Sequence, residues 1–262
     1  MTNAWLAQHL GITDVTREGY QRTIDNNITP FIGSTPLDRL TTPLVQNLLV
    51  DLYKAKSRAA ARQVRGRLQQ ACKWATQMGY LVSDPTAAST IPGRAKRRRA
   101  SAPSMEKVTK LRDLLIADYK ARVGKNRTPS PWLAFEIMIG TGARIGEVCA
   151  LLVEDVDFDA GAVTFSDTAV FENGKLATRG HLKNEDPRRV SYVSPELLAL
   201  LREHCQPTGH VIVARGGGPM QPSNLRRAWR RIYEKANVLE AERLTPHDLR
   251  RAVGTHVARN MG

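Results

Sequence analysis

Over roughly the first ninety residues, apolar positions recur every three to four places, the period that gives a helix one buried face. Trp5, Leu6 and Leu10 begin a short helix, and the stretch from Val15 to Ile28 predicts a second. Thr41-Thr42-Pro43 puts proline at a first helical turn, and Leu44, Val45, Leu48, Leu49 and Leu52 follow at helical spacing. Ser57 suits the N-cap of a long helix that runs to about Met78 and stops at Gly79. On that helix Val64, Leu68, Ala71, Ala75 and Met78 gather on one side as a packing face. Arg58, Arg62, Arg65, Gln69 and Lys73 fall within an arc of about 80° on the other side.

Further along, the period changes. Helical patterns at Glu106 to Tyr119 and Pro131 to Ile139 give way to alternating stretches at Val156 to Phe158, Ala162 to Phe165 and Arg189 to Val193. Asp-Ala-Gly and Asn-Gly-Lys turn signals separate them, which predicts a small antiparallel sheet. Helices return at Pro195 to Cys205, Pro222 to Ala236 and Pro246 to Asn260. The expected fold is mainly α with one small antiparallel sheet.

Residues 94–104 carry no periodic pattern. Arg94 to Ser104 combines proline, small residues and the basic run Lys96, Arg97, Arg98, Arg99, the composition of an extended linker. The chain therefore divides into a helical unit over 1–93, a linker over 94–104 and a second unit over 105–262.

Charge decides the kind of partner. Thirty-nine Lys and Arg against 25 Asp and Glu leave a net charge of +14, and the isoelectric point is near 10.1. Such a surplus points to a polyanion. No apolar run approaches the ~18–20 residues that cross a bilayer, so duplex nucleic acid is expected and a membrane is not. The stripe of Arg58, Arg62, Arg65 and Lys73 has the width that enters a DNA major groove, and the run Lys96 to Arg99 is expected along a phosphate backbone. The start of the chain has no basic and apolar leader pattern, and Cys72, Cys149 and Cys205 are odd in number and widely spaced. Both features predict a cytoplasmic protein. The helix from Asn224 to Tyr233 buries Leu225, Trp229 and Ile232 and flanks them with Arg226, Arg227, Arg230 and Arg231, which suit phosphate contacts that position without specifying sequence.

The candidate chemistry lies in two distant segments. Thr141-Gly-Ala-Arg-Ile-Gly-Glu147 opens an apolar helix, and Thr245-Pro-His-Asp-Leu-Arg-Arg251 opens the last one. Arg144 and Arg250 can each hold two phosphate oxygens, and backbone amides at the start of the Arg144 helix favour an anion. Glu147, three residues on, can orient Arg144. His247 and Arg250 stand one turn apart on one helix face, so the histidine can exchange a proton at a phosphate held by the arginines.

With these motifs, and with Asp155-Val-Asp-Phe-Asp159 and Gly161-Ala-Val-Thr-Phe165 between them, the chain resembles the tyrosine recombinases of the phage-integrase type. The resemblance is close from about Met105 onward and looser before it. It implies DNA strand breaking and rejoining in site-specific integration or excision. Arg144, His247 and Arg250 are the matching site residues, and Glu147 supports them. A lysine of the sheet protonates the leaving 5′ oxygen in such enzymes. Lys183 matches it, because it precedes the Arg188-Arg-Val-Ser-Tyr-Val193 strand, and Lys175 at the Asn-Gly turn is the runner-up. No cofactor or metal is expected. The expected partners are double-stranded DNA at attachment-type core sites and other integrase protomers on it.

The resemblance also implies a tyrosine nucleophile after the last helix. None of the six tyrosines, Tyr20, Tyr53, Tyr80, Tyr119, Tyr192 and Tyr233, follows Arg250. The sequence reading is therefore a chain truncated before its nucleophile and unable to cleave. The alternative is a non-catalytic DNA-binding regulator that occupies recombination sites.

Overall fold

The structure, a computed structural model, describes residues 1–94, 102–121, 128–172, 175–180 and 188–260, with residues 170–172, 175–180, 259 and 260 described by backbone alone. The chain divides into two compact units, Met1–Arg98 and Arg99–Gly262. The division falls inside 94–104, and Lys96, Arg97, Arg98 and Arg99 lie outside the described residues.

The first unit is built from α1 (Thr2–Gln8), α2 (Asp14–Asn27), α3 (Thr29–Ile32), α4 (Thr42–Ala55) and α5 (Arg58–Gln77). Thr13 caps α2 and Ser57 caps α5, each side-chain oxygen accepting a backbone N–H three residues on. The apolar stripes read from the sequence meet in one core of Trp5, Leu6, Ile24, Val45, Leu49, Leu52, Val64, Leu68, Ala71 and Ala75. Two expectations fail at helix ends. Leu10 falls beyond α1 and is 83% exposed, and Met78 falls beyond α5 and is 53% exposed. Each lies past the last turn, where helical phase no longer dictates which way a side chain faces.

The second unit opens with α6 (Met105–Lys120), α7 (Ser130–Thr141) and α8 (Ile145–Ala150). Then come β1 (Val156–Asp157), β2 (Ala162–Phe165), β3 (Asp167–Glu172), β4 (Lys175–Gly180) and β5 (Arg189–Tyr192). The unit closes with α9 (Pro195–His204), α10 (Pro222–Lys235) and α11 (Pro246–Asn260). Strands β1, β2 and β5 form an antiparallel sheet in the order β1-β2-β5, with Val163 opposite both Val156 and Ser191. A second, two-stranded sheet pairs β3 with β4 from Asp167↔Gly180 to Glu172↔Lys175, which the single expected sheet omitted.

The β3–β4 hairpin packs on α8. A Cβ at Gly146 would stand 2.8 Å from Thr168 Cγ2, so glycine lets β3 approach without displacing that side chain. Phe135, Val148, Val163, Phe165, Leu201, Leu225, Trp229 and Leu249 fill the common core. No helix among the described residues is long and apolar enough to cross a membrane.

Candidate active site

The α7–α8 corner organises the site. α7 ends at Thr141, and Gly142 turns the chain at φ 64°, the left-handed conformation that favours glycine. Arg144 follows in extended conformation as the N-cap of α8. Its backbone N–H donates to Glu147 Oε2 at 2.8 Å, and its Nη1 donates to Glu147 Oε1 at 2.8 Å. The buried Glu147 carboxylate thus takes up the N-cap N–H at the start of α8. What faces solvent instead is the Arg144 guanidinium, 62% exposed, fixed along one edge by a glutamate only 1% exposed.

Two further guanidiniums reach the same corner. Arg250 Nη1 donates to the Gly142 carbonyl at 2.6 Å. Arg189 Nη1 donates to the Thr141 carbonyl at 3.0 Å and to Ser191 Oγ at 2.8 Å, while its Nη2 reaches Glu147 Oε2 at 3.4 Å. The Arg189 guanidinium also covers the Phe165 ring at 4.6 Å. Among the described residues, three guanidiniums face one carboxylate at this corner, a surplus of positive charge.

That surplus shows in the proton affinities. Burial raises the Glu147 carboxyl, but the two Arg144 hydrogen bonds and the charges of Arg189 and Arg144 outweigh it and hold the group below the ordinary carboxylate value. Burial, helped by Arg144 and Arg189, lowers Arg250, and Glu147 offsets this only in part. Arginine stays charged regardless. An anion bound between Arg144 and Arg250 would relieve the repulsion.

α11 is set by a capping box. Asp248 Oδ2 accepts the Thr245 backbone N–H at 2.9 Å and its hydroxyl at 2.7 Å, and Thr245 Oγ1 accepts the Asp248 N–H at 3.3 Å. Arg251 pairs with Asp248 at 3.4 Å. With the cap made by Thr245 and Asp248, His247 is left exposed one turn before Arg250.

Comparison with known proteins settles the family. Residues 116–261 match the phage integrase family, and residues 1–90 match the phage integrase central domain. The chain belongs to the phage integrase family. It is 24% identical over 266 residues to the tyrosine recombinase XerC of Mycobacterium tuberculosis (strain ATCC 25177 / H37Ra), covering 97% of this chain and 82% of that protein. It is 22% identical over 290 residues to the integrase of Staphylococcus phage L54a, covering 98% and 79%. Among solved structures, the Tn1549 transposon integrase in complex with a circular intermediate DNA superposes with a TM-score of 0.78 at 17% identity, over 98% of this chain and 85% of that one. A lambda integrase dimer bound to a COC′ core site gives 0.72 at 19% identity, over 99% and 90%. At these identities the structural likeness establishes the shared fold.

In this phage integrase family member, the remaining expected residues fall into different surroundings. Lys183 lies outside the described residues, and Lys175 begins β4, opposite Glu172. Arg62 and Lys73 are exposed on α5. Arg58 and Arg65, by contrast, are half-buried: Arg58 Nε donates to the Gly93 carbonyl at 3.0 Å, and Arg65 Nε to the Ser89 carbonyl and hydroxyl, both at 3.1 Å. These two residues tie down the segment after α5, a use that helical periodicity does not show. Arg226, Arg227 and Arg230 are exposed on α10, with Arg230 also 3.9 Å from Glu234.

Arg189 is the site residue that sequence reading missed. The strand alternates against ordinary polarity: Arg189 and Ser191 turn inward, while Val190 and Tyr192 are 54% and 79% exposed. Only the adjacent Arg188-Arg189 pair, before a strand, hinted at it. Tyr233 is buried in the core, and its hydroxyl accepts the Leu244 N–H at 2.9 Å. It performs a structural task.

Proposed function

We propose that this chain acts in site-specific DNA recombination of the phage integration and excision type, gripping one phosphodiester of duplex DNA between Arg144 and Arg250. One observation carries the reading. Both arginines are anchored on the Gly140–Arg144 turn, Arg144 through buried Glu147 and Arg250 through the Gly142 carbonyl, with a surplus of positive charge beside them. Two guanidinium forks held in this way stabilise most strongly the transition state, in which negative charge spreads over the phosphorane oxygens. His247, exposed one turn from Arg250, exchanges the proton at the phosphate or at the hydroxyl of the tyrosine that the resemblance implies as nucleophile. The oxygen of that tyrosine bonds to phosphorus as the 5′ oxygen leaves. Lys183 delivers a proton to the leaving 5′ oxygen, with Lys175 as the second choice.

The relatives support the partners. They include XerC recombinases, lambda integrase on a core site and a lambda integrase tetramer on a Holliday junction. This chain accordingly binds double-stranded core-type sites together with further protomers, in the cytoplasm beside the nucleoid. Arg62, Lys73, Arg226, Arg227 and Arg230, with the basic run Lys96 to Arg99, contact phosphates, and Arg58 and Arg65 add to them while bracing the chain.

The test needs no cleavage. Duplexes that the chain selects from a random pool are rebuilt with each phosphate in turn replaced by a neutral methylphosphonate. At one position the replacement should weaken binding about tenfold, the loss of a charge-assisted contact. That loss should vanish in Arg144→Ala and Arg250→Ala chains. A wild-type chain indifferent to every replacement would refute the clamp.

A further inference from the structure

Outside the clamp, Arg189 is held on several sides, and no part of the proposed chemistry uses it. Its guanidinium touches elements from three parts of the second unit: the Thr141 carbonyl at the end of α7, Glu147 on α8, and Ser191 and Phe165 in the β1-β2-β5 sheet. Those contacts place protein acceptors on both of its Nη groups, and the side chain is 37% exposed against 62% for Arg144. Glu147, in turn, holds Arg144 from one side and meets Arg189 on the other.

We infer that Arg189 is a positioning residue for the phosphate clamp: by fixing the buried Glu147 carboxylate and the Thr141 carbonyl together, it sets the direction in which Arg144 points. The fork shape of arginine is what does this. One planar guanidinium reaches a carbonyl and a carboxylate at fixed separation, whereas a lysine ammonium is a point charge on a flexible stem. Without the fork, the carboxylate keeps its place on α8 but loses its second anchor, and the Arg144 side chain pivots with it. The inference deepens the clamp reading and rests on it for its purpose, but not for its test.

The test compares the wild-type chain with Arg189→Lys, Arg189→Ala, Glu147→Gln and the double variant Glu147→Gln/Arg189→Lys. In nitrogen–proton NMR spectra of the DNA-free chain, Arg144 should show separate Nη signals in the wild type, because a held guanidinium rotates slowly. These signals should merge in folded Arg189→Lys. Inorganic phosphate should bind about tenfold more weakly to that variant, the size of coupling common within one hydrogen-bonded network. The double variant should be no worse than Glu147→Gln alone, because both act through one carboxylate. Unchanged Arg144 signals in folded Arg189→Lys, or strictly additive losses in the double variant, would overturn the inference, even if Arg189→Ala fails to fold. A wild-type chain that binds no phosphate would count against the clamp, and the DNA-free spectra would still judge Arg189.

Discussion

Arg250 and Gly142 stand 108 positions apart in sequence, yet the Arg250 guanidinium donates to the Gly142 carbonyl at 2.6 Å. The contact depends on Gly142 having no side chain, because its φ of 64° is left-handed and an added Cβ would lie 3.2 Å from Val253 Cγ1 on α11. Gly142→Ala should therefore cost about 1–3 kcal/mol from backbone strain alone. It should also shift α11 and weaken phosphate binding. Urea unfolding measures the first effect. A variant as stable as wild type would mean that the corner tolerates the side chain.

Glu147→Gln removes the carboxylate that meets Arg144 and Arg189. Breaking a fully buried ion pair costs ~3–5 kcal/mol, and the exposure of the Arg144 side chain argues for a smaller loss of about 2–3 kcal/mol here. The sign of the pH dependence follows from the depressed carboxyl. Its stabilisation is fully present above the ordinary value of 4.5 and is lost as pH falls below that toward the folded value. Unfolding free energies measured from neutral to acid pH should show this loss in wild type and a flatter acid limb in Glu147→Gln. Parallel curves for the two proteins would contradict the assignment.

DNA affinity should fall steeply with salt, since each neutralised phosphate releases counterions. Arg62→Ala and Arg226→Ala should each lower affinity on all sequences and reduce the salt slope by about one. Arg65→Ala should do so as well, and should additionally destabilise the fold, because its Nε bonds to Ser89 are lost. Filter binding at several salt concentrations, paired with thermal melts, separates the two classes. Equal melts for Arg62→Ala and Arg65→Ala would show that the Ser89 contacts contribute nothing.

Tyr233 should behave as a core residue. Burial pushes its phenol up to about 12, so its phenolate absorbance should appear only in that range. Tyr233→Phe leaves the buried Leu244 N–H without its acceptor and should cost about 1–3 kcal/mol. With a nicked suicide substrate the 262-residue chain should form no covalent adduct at Tyr233, and mass spectrometry of a trapped adduct there would refute the structural role.

The sequence by itself determined the helices, the strands around Val163, the cap at Ser57, the basic charge and the Arg144 and Arg250 motifs. All of these depend on neighbours within a few positions, where helical period, turn chemistry and capping act. It could not determine which way Arg189 faces, because a period of two assigns an arginine to solvent unless something buried claims it. Nor could it show that Arg58 and Arg65 brace the chain after α5, or that β3 and β4 pair into a hairpin seated on Gly146. Tertiary structure decided these points. A carboxylate buried at Glu147 must be matched by charge and hydrogen bonds, and the residues that satisfy it come from α8 and β5, which only the fold brings together.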